Sequence, residues 1–469
     1  MTEYGKELNL AETPIPGLFV VDLPVHGDSR GWFKENWQRE KMVAAGLPDF
    51  GPVQNNISFN DAVGTTRGVH AEPWDKYVSV ATGRIFGAWV DLREGPSFGT
   101  VFTTEVDASR AIFVPRGVGN SYQTLEPNTS YTYLVNDHWS PTASYSFLNL
   151  ADDTAAIDWP IPLNEAEVSE KDRQHPCLAD VTPTPALKTL VIGATGQLGR
   201  ALREQWGDLP HIEYASRSDL DLMAPGLATA RQWRDYDTIV NASAYTAVDA
   251  AETPEGRRDA WATNATGVAA LAELASAYGL TLVHVSSDYV FDGSLARPYR
   301  EDDQVCPLGV YGQSKAAGDA VVATVRRHYI VRTSWVIGEG RNFVHTMASL
   351  AERDVNPQVV DDQIGRLTFA DDLARAIAHL LGADAPAGIY NLSSSGAPMS
   401  WADVAKAVFS AVGHDAGRVT ETSTVEYFAN STKPIAPRPA NSLLDLTKIT
   451  STGFVPRDGL TSLMHYLRR

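Results

Sequence analysis

Three glycines at fixed spacing in Leu190-Val191-Ile192-Gly193-Ala194-Thr195-Gly196-Gln197-Leu198-Gly199 narrow the folds open to this chain more than any other feature. They permit a tight turn from a strand into a helix and let the backbone approach a pyrophosphate at the helix N-terminus. Such a fingerprint normally opens its domain. Here it follows a long segment and a Thr/Pro-rich seam, Val181 to Ala186. A chain of 469 residues exceeds one ordinary core, since domains run to ~150 residues. The seam predicts a domain over residues 1–180, a linker over 181–186 and a second domain over 187–469.

The two halves differ in hydrophobic period. Before the seam, short runs alternate: Phe86, Ala88, Val90 and Leu92 fall on one face of a strand and Gly87, Trp89 and Asp91 on the other, and Tyr131, Tyr133 and Val135 repeat the pattern. With turns such as Ala81-Thr82-Gly83-Arg84 between them, these runs predict an all-β sandwich or barrel. After the seam, apolar strands alternate with helical stretches: Leu187 to Ile192, Gln197 to Trp206, Thr238 to Ala242, Gly267 to Tyr278, Thr281 to Ser286 and Tyr329 to Thr333. Val268, Leu271, Leu274, Ala275 and Tyr278 share one helical face, with Gly279 placed as a C-cap. This order predicts an α/β Rossmann domain with a doubly wound parallel sheet.

A net charge of -18 disfavours nucleic acid and anionic membrane as partners, although a local basic pocket could still hold a small phosphate-bearing ligand. Cys177 and Cys306, one in each half, exclude a disulfide framework and suit a reducing compartment. Met1 to Leu10 lacks the apolar core of a secretory signal, and no run reaches the ~20 apolar residues of a membrane span. The expected location is the cytoplasm.

In the second half, Ser286-Ser287-Asp288-Tyr289 closes a predicted strand and Tyr311-Gly312-Gln313-Ser314-Lys315 lies further on. Tyr311 and Lys315 are i and i+4 and share a helix face. An ammonium there favours phenolate, so Tyr311 could exchange a proton with a carbonyl near neutral pH while Ser287 binds the same oxygen. Asp219 and Asp221 follow the second strand, where an acid could bind a ribose. Arg217 could instead hold a 2'-phosphate, which leaves NADH and NADPH both open.

From Leu187 onward the chain resembles the extended short-chain dehydrogenase/reductase superfamily, and within it the dTDP-4-dehydrorhamnose reductases. The resemblance rests on Ile239 to Asp249, Ser286 to Gly293, Tyr311 to Lys315, Arg332 to Trp335 and Asp362 to Gly365. It implies a smaller substrate-binding subdomain, with Ser287, Tyr311 and Lys315 as catalytic residues. Gly193, Thr195, Gly196, Gln197, Leu198, Gly199, Asp221, Leu222, Ala242, Ser243 and Ala244, with Tyr311 and Lys315, would line the dinucleotide. Asp288, Tyr289, Trp335, Asn342 and Gln363 would lie near the sugar nucleotide, although Trp335 also reads as a buried aromatic and Asn342 as a helix cap. Ser287 stands where the family usually has threonine, and Arg366 where it has proline.

Ile15 to Leu178 resembles the dTDP-4-dehydrorhamnose 3,5-epimerases, which are cupin-like jelly rolls. The matching stretches are Asp28 to Glu35, Gln54 to Ser58, Thr66 to His70, Val90 to Arg93, Val114 to Gly117 and Ser169 to Asp172. By that resemblance His70 is a general base oriented by Asp172, Tyr133 supplies a proton from the opposite face, and Lys76 stabilises the enolate oxygen. Arg30 and Arg67 would clamp the diphosphate, with Phe33, Glu35, Gln54, Asn56 and Asn120 also near substrate. His26, His70, His138 and His175 lack clustered metal-ligand spacing, so neither metal nor cofactor is expected in this half.

The chain departs from that family in His70-Ala71-Glu72-Pro73-Trp74-Asp75, where His-Tyr-Gln is usual, and at Asn120, where a histidine is usual. The joint reading is a bifunctional enzyme taking dTDP-4-dehydro-6-deoxyhexose substrates, homodimeric through its β half by resemblance. Three alternatives follow from the same residues: a β half that binds without turnover, a pair acting on another nucleotide sugar, and a second half that senses cofactor without catalysis.

Overall fold

The computed structural model describes residues 4–140 and 143–468. The chain forms two compact units, one up to Ala186 and one from Leu187.

The first unit is built from β1 (Asn9–Glu12), β2 (Phe19–Asp22), β3 (Val25–Asp28), β4 (Gly31–Lys34), helix α1 (Arg39–Ala44), β5 (Gln54–Asn60), β6 (Thr65–Ala71), β7 (Lys76–Thr82), β8 (Ile85–Asp91), β9 (Val101–Val106), β10 (Arg110–Val114), β11 (Val118–Thr124), β12 (Thr129–Val135), β13 (Ser146–Phe147), β14 (Glu167–Val168) and helix α2 (Glu170–Arg173). One sheet runs β1-β2-β10-β7-β12-β5 and the other β13-β6-β11-β8-β9, with β14 pairing β6 and β3–β4 forming a separate hairpin. The two sheets pack through Val78, Val80 and Tyr131 from the first against Ile85, Trp89, Val118 and Tyr122 from the second. This is the jelly-roll layering expected of paired antiparallel sheets.

The alternation read in β8 gives way to burial of nearly the whole strand. Ile85 and Trp89 enter the core between the sheets, while Ala88 and Val90 enter a second cluster with Leu92, Leu148, Leu150, Trp159 and Leu178. The segment after β12 therefore covers what would otherwise be a solvent face. A third cluster seats Met42, Leu47 and Phe50 on Val21, Tyr77 and Phe113 of the first sheet.

The second unit has β15 (Lys188–Ile192), helix α3 (Gln197–Trp206), β16 (Ile212–Ala215), β17 (Tyr236–Asn241), helix α4 (Pro254–Trp261), helix α5 (Gly267–Tyr278), β18 (Thr281–Ser287), helix α6 (Val310–Val322) and β19 (His328–Thr333). Its parallel sheet runs β16-β15-β17-β18-β19 and ends on Gly388–Leu392. Apolar clusters cover both faces, one built on Val268, Leu271 and Leu274 of α5 and the other on Leu198, Ala201 and Leu202 of α3. Gly279, at φ +67°, ends α5 as its spacing predicts. Tyr278 leaves the expected apolar face and is exposed, because it sits at the last turn.

The strand order changes direction between β15 and β17, and ligands of such sheets bind beyond the strand C-termini at that point. A smaller cluster, including Val344, Met347, Val404, Val408 and Phe409, makes the expected subdomain.

Candidate active sites

In the β unit, the facing sheets bring together groups far apart in sequence. His70 on β6 and Asn120 on β11 are register partners. Across from them, Lys76 begins β7 and Tyr133 lies on β12, whose neighbours are β7 and β5. Asp172, in the first turn of α2, places Oδ1 2.9 Å from His70 Nε2. Its other oxygen accepts from Gly68 N at 3.4 Å, and Ser169 Oγ accepts its backbone N–H at 3.1 Å. Burial alone would raise the Asp172 carboxyl, but the His70 hydrogen bond and ring charge, with Gly68 N–H, hold it below the usual carboxylate range.

Lys76 stands with its ammonium 5.2 Å from the Tyr133 ring centroid and ion-paired to Glu72. Burial pushes this amine down to about 7, while a contacting carboxylate favours its charged form. Tyr133 is pushed up, mainly by burial, with Arg67 pulling the other way. Asn120 accepts from Trp89 Nε1 at 3.0 Å and donates to Tyr131 OH at 2.9 Å, so the residue replacing a histidine is anchored within the core. In the altered loop, Asp75 accepts from Arg116 N at 2.9 Å and from Asn136 Nδ2 at 3.1 Å, which pins the turn before Lys76.

The remaining substrate candidates separate into two groups. Arg67 donates to Asn60 Oδ1 at 3.2 Å, and Gln54 donates at 2.8 Å to Oδ1 of Asn56, the register partner of Tyr133. Arg30, Phe33 and Glu35 belong to the β3–β4 hairpin and its exit, where Arg30 pairs with Asp28, Glu35 pairs with Lys41 and Phe33 is 66% exposed. The fold thus gives the hairpin residues local partners rather than contacts with His70. Spacing also hid one neighbour: His175 follows α2 and lies with Nε2 3.7 Å from Asp172 Oδ1.

In the second unit, the glycine turn is shaped by close approach. Gly193 has φ +83°, and a Cβ there would stand 2.8 Å from Ser243 N. A Cβ on Gly199 would lie 2.3 Å from Gly193 O. Gly196 caps α3 without any side-chain hydrogen bond, so the first-turn N–H groups at Gln197 and Leu198 stay available to a phosphate. This cradle fits a dinucleotide, flanked by Thr195 and by Ala242, Ser243 and Ala244 after β17. Beyond β16, Asp221 accepts Met223 N at 3.0 Å, just after Leu220, with Leu222 buried alongside. Arg217 is 84% exposed and only 3.8 Å from Asp221, while Asp219 is occupied by Ser216.

Ser287 ends β18, and its Oγ donates to Asp288 Oδ1 at 2.9 Å and accepts Tyr289 N at 3.2 Å. The Tyr289 ring meets Tyr311 edge-on at 5.5 Å. Tyr311 and Lys315 sit on α6, and Lys315 Nζ donates to Val285 O at 2.6 Å and lies 3.2 Å from His284 Nε2. Burial pushes Tyr311 up to about 12, partly offset by a hydrogen bond with Ser287, and pushes Lys315 down to about 8. Burial is thus the main cause acting on the Tyr311 phenol, opposed by the Ser287 hydrogen bond.

Sequence reading also missed two supports. Asn264, in a π-helical turn between α4 and α5, holds Tyr245 N and O and donates to Ser314 Oγ at 3.0 Å, tying the post-β17 loop to α6. His284 faces Asn241 Nδ2 at 3.1 Å through Nδ1.

Among the subdomain residues, Trp335 stacks on Trp401 at 3.8 Å and lies against Gly365, where a Cβ would come 2.7 Å from its ring. Gln363 donates to Thr424 Oγ1 at 2.9 Å. Asn342 is the N-cap of Phe343–Glu352 and also bonds Gly338 O and Tyr466 OH, so its capping role is realised. Arg366 donates to the Gly396 and Leu444 carbonyls.

Proton removal beside a carbonyl is what the first site is equipped for, and carbonyl reduction what the second is equipped for. By class, the chain is an isomerase fold fused to a short-chain dehydrogenase/reductase fold. Residues 12–180 match the family described as dTDP-4-dehydrorhamnose 3,5-epimerase, and residues 187–469 match that described as RmlD substrate binding domain. The chain belongs to both families, one in each unit.

A protein named RmlC homolog from Streptococcus pyogenes serotype M6 is 54% identical over 193 residues, covering 39% of this chain and 97% of that protein. The dTDP-4-dehydrorhamnose reductase of Sinorhizobium fredii is 40% identical over 279 residues, 57% of this chain and 91% of its own. A crystal structure of dTDP-4-dehydrorhamnose reductase from Bacillus anthracis, in complex with NADP, superposes with TM-score 0.56 at 31% identity, over 61% of this chain and 100% of that one.

Proposed function

We propose that the chain performs two consecutive steps of dTDP-L-rhamnose formation: inversion at C3 and C5 of dTDP-4-dehydro-6-deoxy-D-glucose, then reduction of the 4-ketone. The observation that carries this reading is the pairing, in one polypeptide, of a β unit holding a His70–Asp172 dyad and a Lys76–Tyr133 contact with an α/β unit holding a glycine cradle and the Ser287, Tyr311 and Lys315 set.

In the first unit His70 takes the proton next to the ketone, held in place by Asp172. Lys76 faces the developing enolate oxygen, and Tyr133 returns a proton from the other sheet. Arg67, Gln54, Asn56 and Asn120, on the strands that carry or flank His70 and Tyr133, would contact the same substrate. No cofactor takes part in this step.

In the second unit, a bound nicotinamide dinucleotide supplies the hydride. The turn at Gly193 to Gly199 would hold its pyrophosphate, Tyr311 gives a proton to the ketone oxygen, Ser287 positions that oxygen, and Lys315 supports Tyr311. Asp288, Tyr289, Trp335 and Gln363 orient the sugar nucleotide. The Ser216-Arg217 segment, with its exposed guanidinium, supports NADPH as the cofactor.

A homodimer through the β unit is supported by an apolar row on the edge strand β5. Ile57 and Phe59 are 70% and 55% exposed there and Val53, just before the strand, is 57% exposed, while the β3–β4 hairpin presents Trp32 and Phe33. Residues 181–186 serve as the join between the catalytic units. No helix among the described residues is long and apolar enough to cross a membrane, which accords with action in the cytoplasm.

The test is the full chain with dTDP-4-dehydro-6-deoxy-D-glucose and NADPH in deuterated water. NMR should show deuterium at C3 and C5 of a rhamno-configured product. A reduced product without deuterium at those carbons would refute the first step. Deuterated ketone that persists in the presence of NADPH would refute the second.

A further inference from the structure

One buried side chain of the first unit takes no part in the step assigned to it. His175 is 8% exposed, stacks on Phe147 with ring centroids 4.7 Å apart, and has no well-formed hydrogen bond at either ring nitrogen, its polar neighbours being Asp172 and the Leu148 backbone. Buried polar groups are ordinarily paired, so an imidazole left this way calls for a ligand. Its Nε2 lies 3.7 Å from the Asp172 Oδ1 that stands 2.9 Å from His70 Nε2. One ligand atom from each of the three residues lies within 4.8 Å of the others.

We propose that His70, Asp172 and His175 form a three-ligand site for a transition-metal cation of the zinc class, and that the cation silences the first step: bonded to His70 Nε2, it leaves the ring proton on Nδ1, so the imidazole keeps no lone pair with which to act as base. A tetrahedral ion bonded to nitrogen and oxygen at ~2.0–2.1 Å separates its ligand atoms by ~3.3 Å. The two distances to Asp172, 2.9 and 3.7 Å, bracket that value and all three ligand atoms lie within 4.8 Å of one another, so rotations that draw the two imidazoles together complete the site. Two imidazoles with one carboxylate suit zinc over magnesium or calcium, which take oxygen donors.

The carboxylate is already aimed, since Gly68 N holds Oδ2 and Ser169 Oγ holds the Asp172 backbone. The His70 side chain is 35% exposed, which leaves the fourth position open to water or substrate. The contrast with the sequence reading is physical: metal-ligand spacing in a chain describes local sites, whereas β6 and the α2 turn meet across 102 residues.

Inhibition rests on His70 being the base; metal binding does not. The test therefore reads both, on the full chain stripped with chelator. Cobalt(II) is titrated as a visible-absorbing stand-in, and C3/C5 deuterium exchange is followed with and without zinc. The variants are His175→Phe, which keeps the ring on Phe147 and removes both nitrogens, and His175→Gln as a second check should the first fold poorly.

The parent should bind one cobalt per chain with a tetrahedral spectrum, and zinc should stop exchange until chelator is added. Both variants should bind more than about tenfold more weakly and exchange at zinc concentrations that stop the parent. Equal cobalt affinity in parent and variants overturns the site. Zinc bound at the site with exchange unaffected overturns the inhibition. His175-dependent cobalt binding in a metal-free parent that never exchanges upholds the site and rejects His70 as base.

Discussion

A lysine meets a tyrosine in each unit, and the two meetings are built differently. In the β unit, Lys76 and Tyr133 come from neighbouring strands, and the ammonium has the Tyr133 ring on one side and the Glu72 carboxylate on another. In the α/β unit, Tyr311 and Lys315 lie one turn apart on a helix, and the amine's hydrogen-bond contacts are the Val285 carbonyl and the His284 ring. Burial depresses both amines, to about 7 and about 8. The first lysine thus has an anion to compensate its charge, as suits a group facing an enolate. The second is held in contact by dipoles, with the Asp319 carboxylate favouring its charged form through space.

The tyrosines offer the sharpest way to break this comparison. Tyr311→Phe should lower ketone reduction by ~10²–10⁴-fold while C3/C5 exchange, read by NMR in deuterated water, continues unchanged. Tyr133→Phe should do the reverse for product formation, with reduction of already epimerised ketone intact. Loss of both activities in either variant would mean that the units do not act independently.

Next in size is Gly199→Ala. Its Cβ would meet the Gly193 carbonyl at 2.3 Å, a backbone contact with little room to yield. NADPH affinity should fall roughly tenfold or more, given ~1–3 kcal/mol for overpacking. A fluorescence titration would read this; unchanged affinity would show the turn to be slack.

The pH profiles compare the lysines directly. Each amine loses its proton as pH rises, so both rates should fall on the alkaline side. Reduction should decline above about 8 as Lys315 is neutralised, while Tyr311, near 12, still carries its proton. Exchange should decline earlier, above about 7. The opposite order would show that Glu72, rather than burial, sets the charge of Lys76.

The smallest effect concerns stability. Asn120→Ala leaves Trp89 Nε1 and Tyr131 OH without their partner and should cost about 1–3 kcal/mol. Calorimetry should show the transition of the first unit lowered and that of the second unmoved.

What could be read in the chain follows from how locally each feature is encoded. Gly267–Tyr278 with its Gly279 cap, and Tyr311 with Lys315 one turn on, are set by spacing within a single helix. The parallel sheet and the β sandwich follow from the two hydrophobic periods. The burial of β8 on both faces does not, because Leu148, Leu150 and Trp159 cover it from far along the chain. His175 was read as lacking a ligand cluster for the same reason: Asp172 lies three residues back, but His70 reaches both from a strand far along the chain. Asn342 carried two readings, and the N-cap geometry realises the structural one. Lys76 was marked, but the contact with Glu72 depends on how the turn at Pro73 and Trp74 folds back.

The line from Asn241 through His284 to Lys315 has a consequence for proton bookkeeping. Asn241 Oδ1 accepts from both the backbone N–H and the hydroxyl of Ser243, at 3.1 and 2.6 Å, which fixes the amide with Nδ2 toward the imidazole. His284 Nδ1 must then accept, so the neutral ring is the Nε2–H tautomer. That hydrogen points at Lys315 Nζ, which can receive it only as a free amine. One amide orientation, set a strand away, therefore favours the deprotonated lysine and joins burial in moving it toward neutrality. The alkaline limb of ketone reduction becomes, in part, a readout of which way a buried asparagine faces.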